Sequence, residues 1–340
     1  MTTSTLPSGP QPARSRPALR LVNTLDLDRD QWLEVRRRGI GSSDAAAAVG
    51  LNPYQSRLEL WMDKTGRGDQ LPRLAADDDS SPAYWGTLLE PIVAAHYTRR
   101  TGHPVRRVNA VLQHRDQPWM LANIDREVVG SPDVQLLECK TTGLNGMRLW
   151  AEGVPEYVQL QVMHQLAVTG KEAADVAVLV CGQELRIYRI ERDDALIAKL
   201  ILLEEEFWRL VETDTPPPAD GTDSADRALR ALYPHENADV MDCSADLELS
   251  GVFSDLLTTR VLLKQQQERE TQLKQRLQES MGDAAELLFD KGSVSWRRSK
   301  DSFSFDAERF LAEYPDVAKT FLAAKPGSRR FLVHEDESHG

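Results

Sequence analysis

The sequence is short of cysteine, of long apolar runs and of positive charge, and each shortage closes off a class of protein. Three cysteines, Cys139, Cys181 and Cys243, stand far apart in 340 residues. No CxxC pair exists, so neither a zinc knuckle nor a dithiol redox motif can be written, and a four-thiolate iron–sulfur cluster lacks ligands. An odd, sparse count fits a reducing cytoplasm, with each thiol serving as a small buried hydrophobe. No apolar stretch approaches the roughly 18 residues of a membrane span. The arginine-bearing N-terminus also lacks the apolar core of a secretory signal. The net charge of -12 argues against a protein that coats nucleic acid indiscriminately. A local basic channel is still compatible with it. Arginines cluster at Arg36-Arg37-Arg38, Arg99-Arg100 and Arg106-Arg107, and each cluster alone reads first as a solvated face.

What is present suffices for a large core, at 41% apolar residues, in a chain long enough for a catalytic domain and an appendage. Residues 1–20, rich in Ser, Thr, Pro and Arg, read as a disordered tail, with order beginning near Trp32. A first domain is expected over 21–212. Thr215-Pro216-Pro217-Pro218 stops the preceding helix, because proline donates no helical hydrogen bond, and 213–228 reads as a linker. Beyond it, 229–340 forms a C-terminal extension. It should hold a long polar helix over 252–281, with Leu256, Leu263, Leu273 and Leu277 at rough heptad intervals. A small α/β end follows: a strand near Val294–Trp296, a helix with Phe310 and Leu311, and a strand at Phe331–Val333.

Within the first domain, helices are expected at 43–49, 56–65 and 86–101, with Ser42, Ser43 or Ser56 available as N-caps. Strands follow at 104–114, 120–129 and 134–141. The turn chemistry of Gly130-Ser131-Pro132-Asp133 makes the last two a hairpin. A helix at 156–168, strands at 175–181 and 184–190 and a helix ending near Val211 complete the order. The class is α/β, a mixed sheet flanked by helices.

The sharpest local feature is Leu136-Leu137-Glu138-Cys139-Lys140. On a strand, residues i and i+2 share a face, so Glu138 and Lys140 project together. An antiparallel hairpin brings Asp125 alongside Glu138. Two carboxylates at that range repel unless a cation lies between them. Mg²⁺ is the expected ion, since it favours oxygen ligands and keeps waters for reaction; Mn²⁺ accepts the same ligation. Held there, it would polarise a phosphodiester and acidify a water, while Lys140 offsets charge on the phosphate. An ion pair across a surface hairpin would give the same short pattern. Glu90, in Trp85-Gly86-Thr87-Leu88-Leu89-Glu90-Pro91, lies on the helix before the sheet and could reach the ion. Gln161, on the helix at 156–168, could hydrogen-bond a phosphate or the attacking water.

Taken together, these segments resemble the lambda exonuclease and YqaJ-like viral recombinase family of phage nucleases, within the PD-(D/E)xK superfamily. The resemblance runs from Trp32 to about Arg192. It is carried by Trp32-Leu33-Glu34-Val35-Arg36, Gly39-Ile40-Gly41-Ser42-Ser43-Asp44, Leu51-Asn52-Pro53-Tyr54, the Trp85–Glu90 segment, Asp125, Glu138-Cys139-Lys140 and the helix bearing Gln161. It implies a restriction-endonuclease-like core, with Glu90, Asp125 and Glu138 as metal ligands and Cys139 placed in the same ligand set. Asp125, Glu138, Lys140 and Gln161 would be catalytic, and Arg36 and Ser43 would bind a 5′-terminal phosphate.

Two departures stand out: Met163 replaces the second glutamine of the family's Gln-x-Gln pair, and Asn123-Ile124-Asp125 lacks the proline that often precedes the aspartate. By resemblance the activity is 5′-to-3′ digestion of linear double-stranded DNA in phage or prophage recombination, in a bacterial host's cytoplasm. A homo-oligomeric ring, commonly a trimer, and a single-strand annealing protein as partner are implied in the same way. An endonuclease of this fold and an inert DNA-binding scaffold are the competing expectations. The retention of Glu90, Asp125, Glu138 and Lys140 speaks against the scaffold.

Overall fold

Two sheets, where the strand pattern suggested one, organise the first of the chain's two units, 1–234; the second unit is 235–340. The computed structural model describes residues 18–72, 78–237, 239–324 and 327–335. The first unit contains β1 (Leu19–Asn23), α1 (Arg29–Arg37), β2 (Ile40–Gly41), α2 (Ala45–Ala48), α3 (Arg57–Lys64) and α4 (Pro82–Thr101). Then come β3 (Val105–Arg107), β4 (Ala110–Gln113), β5 (Met120–Ala122), β6 (Arg126–Val128) and β7 (Leu136–Thr142). It closes with α5 (Glu156–Thr169), β8 (Ala173–Val180), β9 (Glu184–Glu191), α6 (Asp194–Glu212) and α7 (Asp223–Leu232).

Helix ends are set by local chemistry. Asp28 and Gln31 form a capping box on α1, and Ser56 Oγ accepts from the Glu59 backbone N–H at 3.1 Å to start α3. Asn52 prepares that start by accepting from the backbone of Tyr54 and Gln55. Pro82 opens α4 and Gly102, in the left-handed region, ends it.

The four-stranded sheet has order β1-β4-β5-β2 and the five-stranded sheet β3-β6-β7-β8-β9. The expected strands at 104–114 and 120–129 each break in two and hand the chain from one sheet to the other. At the second break Asn123, Ile124 and Asp125 leave β5 and enter β6. Ile124, 4% exposed, pins that crossing into the core. The β6–β7 hairpin forms as the turn residues predict, with Arg126 opposite Leu137. β7 and β8 run parallel, as a crossover through α5 requires.

The five-stranded sheet lies between helices. On one face Leu136, Val176 and Val178 pack with Val158, Val162 and Leu166 of α5. On the other, Leu137 and Ala177 meet Val93 and Tyr97 of α4. Each such side chain contributes about 1.5–3 kcal/mol by leaving water. The fully buried Tyr97 satisfies its hydroxyl on Asp175 Oδ2 at 2.6 Å, and Asp175 is held in turn by Arg189.

Several boundaries differ from the sequence expectation, among them the start of α4 at Pro82 rather than Gly86. The tail at 1–17 lies outside the described residues, but Leu19 and Arg20 already pair with β4, so order begins before Trp32. The expected linker at 213–228 is partly helical: α7 folds back on α3, where the Ser56 backbone N–H donates to Ser224 Oγ at 2.8 Å. The division falls after Pro234 instead. In the second unit, α8 (Leu247–Met281) is longer than expected; β10 (Glu286–Phe289) and β11 (Gly292–Ser295) form a hairpin. α9 (Ala307–Glu313) and α10 (Pro315–Thr320) follow, and Phe331–Val333 has no strand partner among the described residues and stays irregular. No helix among the described residues is long and apolar enough to cross a membrane.

One buried ion pair ties α5 to its surroundings. His164 is fully buried; Nδ1 faces Glu204 Oε1 at 2.8 Å and Nε2 faces the Leu121 carbonyl at 2.9 Å. A carboxylate at one nitrogen and a carbonyl at the other favour the doubly protonated ring. Burial alone would depress the imidazole, but the Glu204 carboxylate and the Leu121 carbonyl outweigh it and raise its pKa. A raised folded pKa gives stability that is full below the unfolded value of roughly 6.5 and is lost as pH rises through the folded value. His164→Gln is therefore expected to cost about 3–5 kcal/mol near pH 6. Urea melts across a pH series should show the gap from wild type narrowing toward alkaline pH.

Candidate active site

The crossing between the sheets delivers Asp125. It stands one residue before β6, and the Arg126–Leu137 register puts it opposite Glu138. The Cys139 backbone N–H donates to Asp125 Oδ2 at 2.9 Å, so the carboxylate is aimed by the neighbouring strand. Glu138 is 3% exposed, on the face of β7 that meets α5. Its Oε1 accepts from Gln161 Nε2 at 2.6 Å and from Lys140 Nζ at 2.8 Å, and its Oε2 accepts from Gln165 Nε2 at 2.7 Å. Lys140 also donates to Gln161 Oε1 at 2.9 Å. One glutamine thus spans the carboxylate and the ammonium. Asp125, Glu138, Lys140 and Gln161, chosen from the sequence, come together.

The electrostatics of the pair are unfavourable as it stands. Burial first, then the facing Glu138, then Glu90 hold the Asp125 carboxyl well above the usual carboxylate range, against the opposing Cys139 N–H. Burial alone would lower Lys140, yet Glu138 and Asp125 more than offset it and raise its pKa.

Glu90 and Cys139 stand differently. Glu90 Oε1 takes the Arg126 guanidinium, which also donates to the Asp125 carbonyl, and Arg107 lies 3.9 Å away. The carboxylate is close enough to disturb Asp125 but is engaged by an arginine. Cys139 points to the α4 side of β7, and burial, Asp125 and Glu138 push its thiol upward. The side chain is thus turned away from the carboxylate pair, and what the structure brings to the site from this residue is its backbone, through the N–H that Asp125 accepts. Among the described residues no three His, Cys, Asp or Glu side chains close into one ligand cluster.

The second predicted pair also meets. Arg36 donates to Ser43 Oγ at 2.8 Å and to Asp44 Oδ1 at 2.8 Å. Asp44 further accepts from Lys64 Nζ at 2.6 Å and the Gly41 N–H at 3.0 Å. Although burial opposes it, Lys64 and Arg36 hold the Asp44 carboxyl far below the usual range. A small cavity of about 50 Å³ opens here, lined by Leu33, Arg36, Arg37, Asp44, Asp63 and Lys64. The turn Ser42–Asp44 packs on α5, the helix that carries Gln161.

Sequence reasoning missed Gln165, Arg126, Asp44 and Lys64. Gln165 lies four positions after Gln161, the spacing that shares a helix face, and could have been found that way. Asp44 and Arg126 adjoin residues already chosen. Lys64 carries no local signal; only the packing of α3 brings it to Asp44.

Residues 31–172 match the family described as the YqaJ-like viral recombinase domain. The protein YqaJ of Bacillus subtilis (strain 168) is 35% identical over 324 residues, which is 93% of this chain and 97% of its own. Among solved structures, an alkaline exonuclease from Laribacter hongkongensis is similar over 55% of this chain and 94% of its own, at 24% identity and a TM-score of 0.45. A phage related exonuclease from Haemophilus somnus 129PT covers 54% of this chain and 99% of its own, at 10% identity and a TM-score of 0.35.

The unfavourable carboxylate pair yields a stability prediction. A raised Asp125 pKa means that the charged form costs stability at alkaline pH, a cost that acid removes by protonation. Asp125→Asn keeps an acceptor for the Cys139 N–H and deletes the charge. In the absence of divalent cations it should stabilise the fold by about 1–2 kcal/mol near pH 9, with the gain fading toward pH 4, as read from urea midpoints.

Proposed function

The chain belongs to the YqaJ-like viral recombinase family, and from that premise we propose a metal-dependent nuclease that digests linear double-stranded DNA, 5′ to 3′, in phage-type recombination. The observation that carries the reading is the buried Asp125–Glu138 pair with Lys140 on the same strand face. Two hard oxygen donors held face to face in a buried site fit a small divalent cation. Asp125 and Glu138 would hold Mg²⁺ or Mn²⁺, and Glu90 would join them on release from Arg126. Such an ion, when bound, supplies polarisation of the phosphodiester and a more acidic water.

The remaining chemistry belongs to side chains. Lys140, ion-paired with Glu138 at 2.8 Å, would act as a cation at the phosphate. Its ammonium offsets the charge that builds on the non-bridging oxygens as the nucleophile adds. Gln161 fixes that ammonium and has an amide within reach of the same water or phosphate. In the Arg36 cavity three cations, Arg36, Arg37 and Lys64, outnumber Asp44 and Asp63, which suits a terminal phosphate dianion. Ser43 adds a hydroxyl. A dedicated anion site favours recognition of a DNA end over internal cutting. A homo-oligomeric ring belongs to the same proposal, since it would keep an acidic protein on its substrate. A single-strand annealing protein would receive the 3′ strand.

The test is Mg²⁺-dependent digestion of linear duplex bearing 5′-phosphate or 5′-hydroxyl ends, beside closed circular duplex. Loss of linear DNA from its 5′ ends with circles spared is expected, and Lys140→Ala should lower the rate at least about 100-fold. Arg36→Ala should erase the preference for the 5′-phosphate. Cutting of circles would identify an endonuclease, and inertness of folded protein with either Mg²⁺ or Mn²⁺ would leave a DNA-binding scaffold.

A further inference from the structure

The described contacts single out Gln165, a side chain only 1% exposed, next to the site but outside the residues given a chemical role above. A primary amide has two N–H donors. Here one reaches Glu138 Oε2 at 2.7 Å and the other leans on the Asn123 carbonyl at 3.4 Å. Asn123 begins the crossing that ends at Asp125. A single nitrogen therefore touches both segments that supply the paired carboxylates. The preceding residue repeats the pattern, since His164 holds the Leu121 carbonyl at 2.9 Å. Helix α5 thus grips the outgoing backbone at alternate residues, 121 and 123, before it reaches Asp125.

We propose that Gln165 is a positioning residue that fixes Asp125 and Glu138 at the separation a divalent cation requires; this rests on the nuclease reading above. The chemistry of the donor matters. An arginine or lysine in its place would orient Glu138 but also cancel the charge that attracts the ion. A neutral amide orients and leaves that charge intact. Of the three donors on Glu138, Lys140 brings charge and Gln161 is shared with Lys140. Gln165 alone has a second bond to the Asp125 segment.

The test compares Gln165→Met, which keeps length and removes both donors, with wild type. Mn²⁺ affinity is measured by calorimetry without DNA, and kcat and KM are measured on linear duplex. Loss of an orienting partner behind a metal ligand typically costs about 10–100-fold. The expected result is that loss in Mn²⁺ affinity, with kcat lowered, KM for DNA unchanged and the far-UV spectrum intact. A folded variant with wild-type affinity and kcat overturns the proposal.

Should the variant not fold, the wild-type side chain still answers. On Mg²⁺ titration the Gln165 side-chain amide signals in a ¹H–¹⁵N spectrum should shift with the occupancy of the site. Signals that stay fixed while the ion binds elsewhere in the spectrum overturn the assignment. Failure of wild type to bind either ion would instead sink the nuclease reading itself.

Discussion

The placement of two carboxylates, Asp125 and Glu138, against one another in a largely buried site governs the rest of this structure. Left alone such a pair would drift apart or take up a proton, since burial and like charge both oppose ionisation. Here neither residue is free to move. Asp125 is aimed by the Cys139 N–H, and Glu138 is held by Gln161, Lys140 and Gln165. The surrounding fold supplies the stability that this arrangement costs, through apolar packing on both faces of the five-stranded sheet and through pairs such as His164–Glu204. Strain of this electrostatic kind concentrates where chemistry is done.

The two halves of the site have different origins. Glu138, Lys140, Gln161 and Gln165 all belong to one continuous strand–helix–strand unit, β7-α5-β8, whose geometry follows from local rules for parallel crossovers. Asp125 is brought in from outside that unit, at the point where the chain leaves one sheet for the other. Helix α5 is the element common to both, packing on the sheet with one side and holding backbone carbonyls of the crossing with another. The Ser42–Asp44 turn rests on the same helix.

Much of this was legible in the amino-acid sequence, and the limits have physical causes. Period-two alternation placed Glu138 and Lys140 on one face, and turn chemistry at 130–133 set the hairpin that brings Asp125 beside them. Ser56, available as an N-cap, marked the start of α3. What could not be read was where a strand pattern breaks between two sheets, because the alternation of apolar residues continues through Ala122, Ile124 and Val128 regardless of which sheet they join. The pairing of Glu90 with Arg126 and of Asp44 with Lys64 depends on tertiary packing and leaves no trace in local spacing.

The short parallel pairing of Ile40–Gly41 with Met120–Leu121 fixes one part of the chain against another. The Ile40 N–H bonds to the Trp119 carbonyl at 2.7 Å, and a Cβ on Gly39 would fall 2.4 Å from that same oxygen. The two backbones are in direct contact, with no side chain between them to flex. Just past this contact on one strand lies the cavity lined by Arg36, Asp44 and Lys64, and just past it on the other lies Asp125. For an enzyme that grips a terminal phosphate, this makes the backbone a ruler. Under the proposed nuclease reading, the span from anion pocket to carboxylate pair would set how many nucleotides leave at each cut, and a change of ruler length, rather than of any reacting group, would change the size of the fragment.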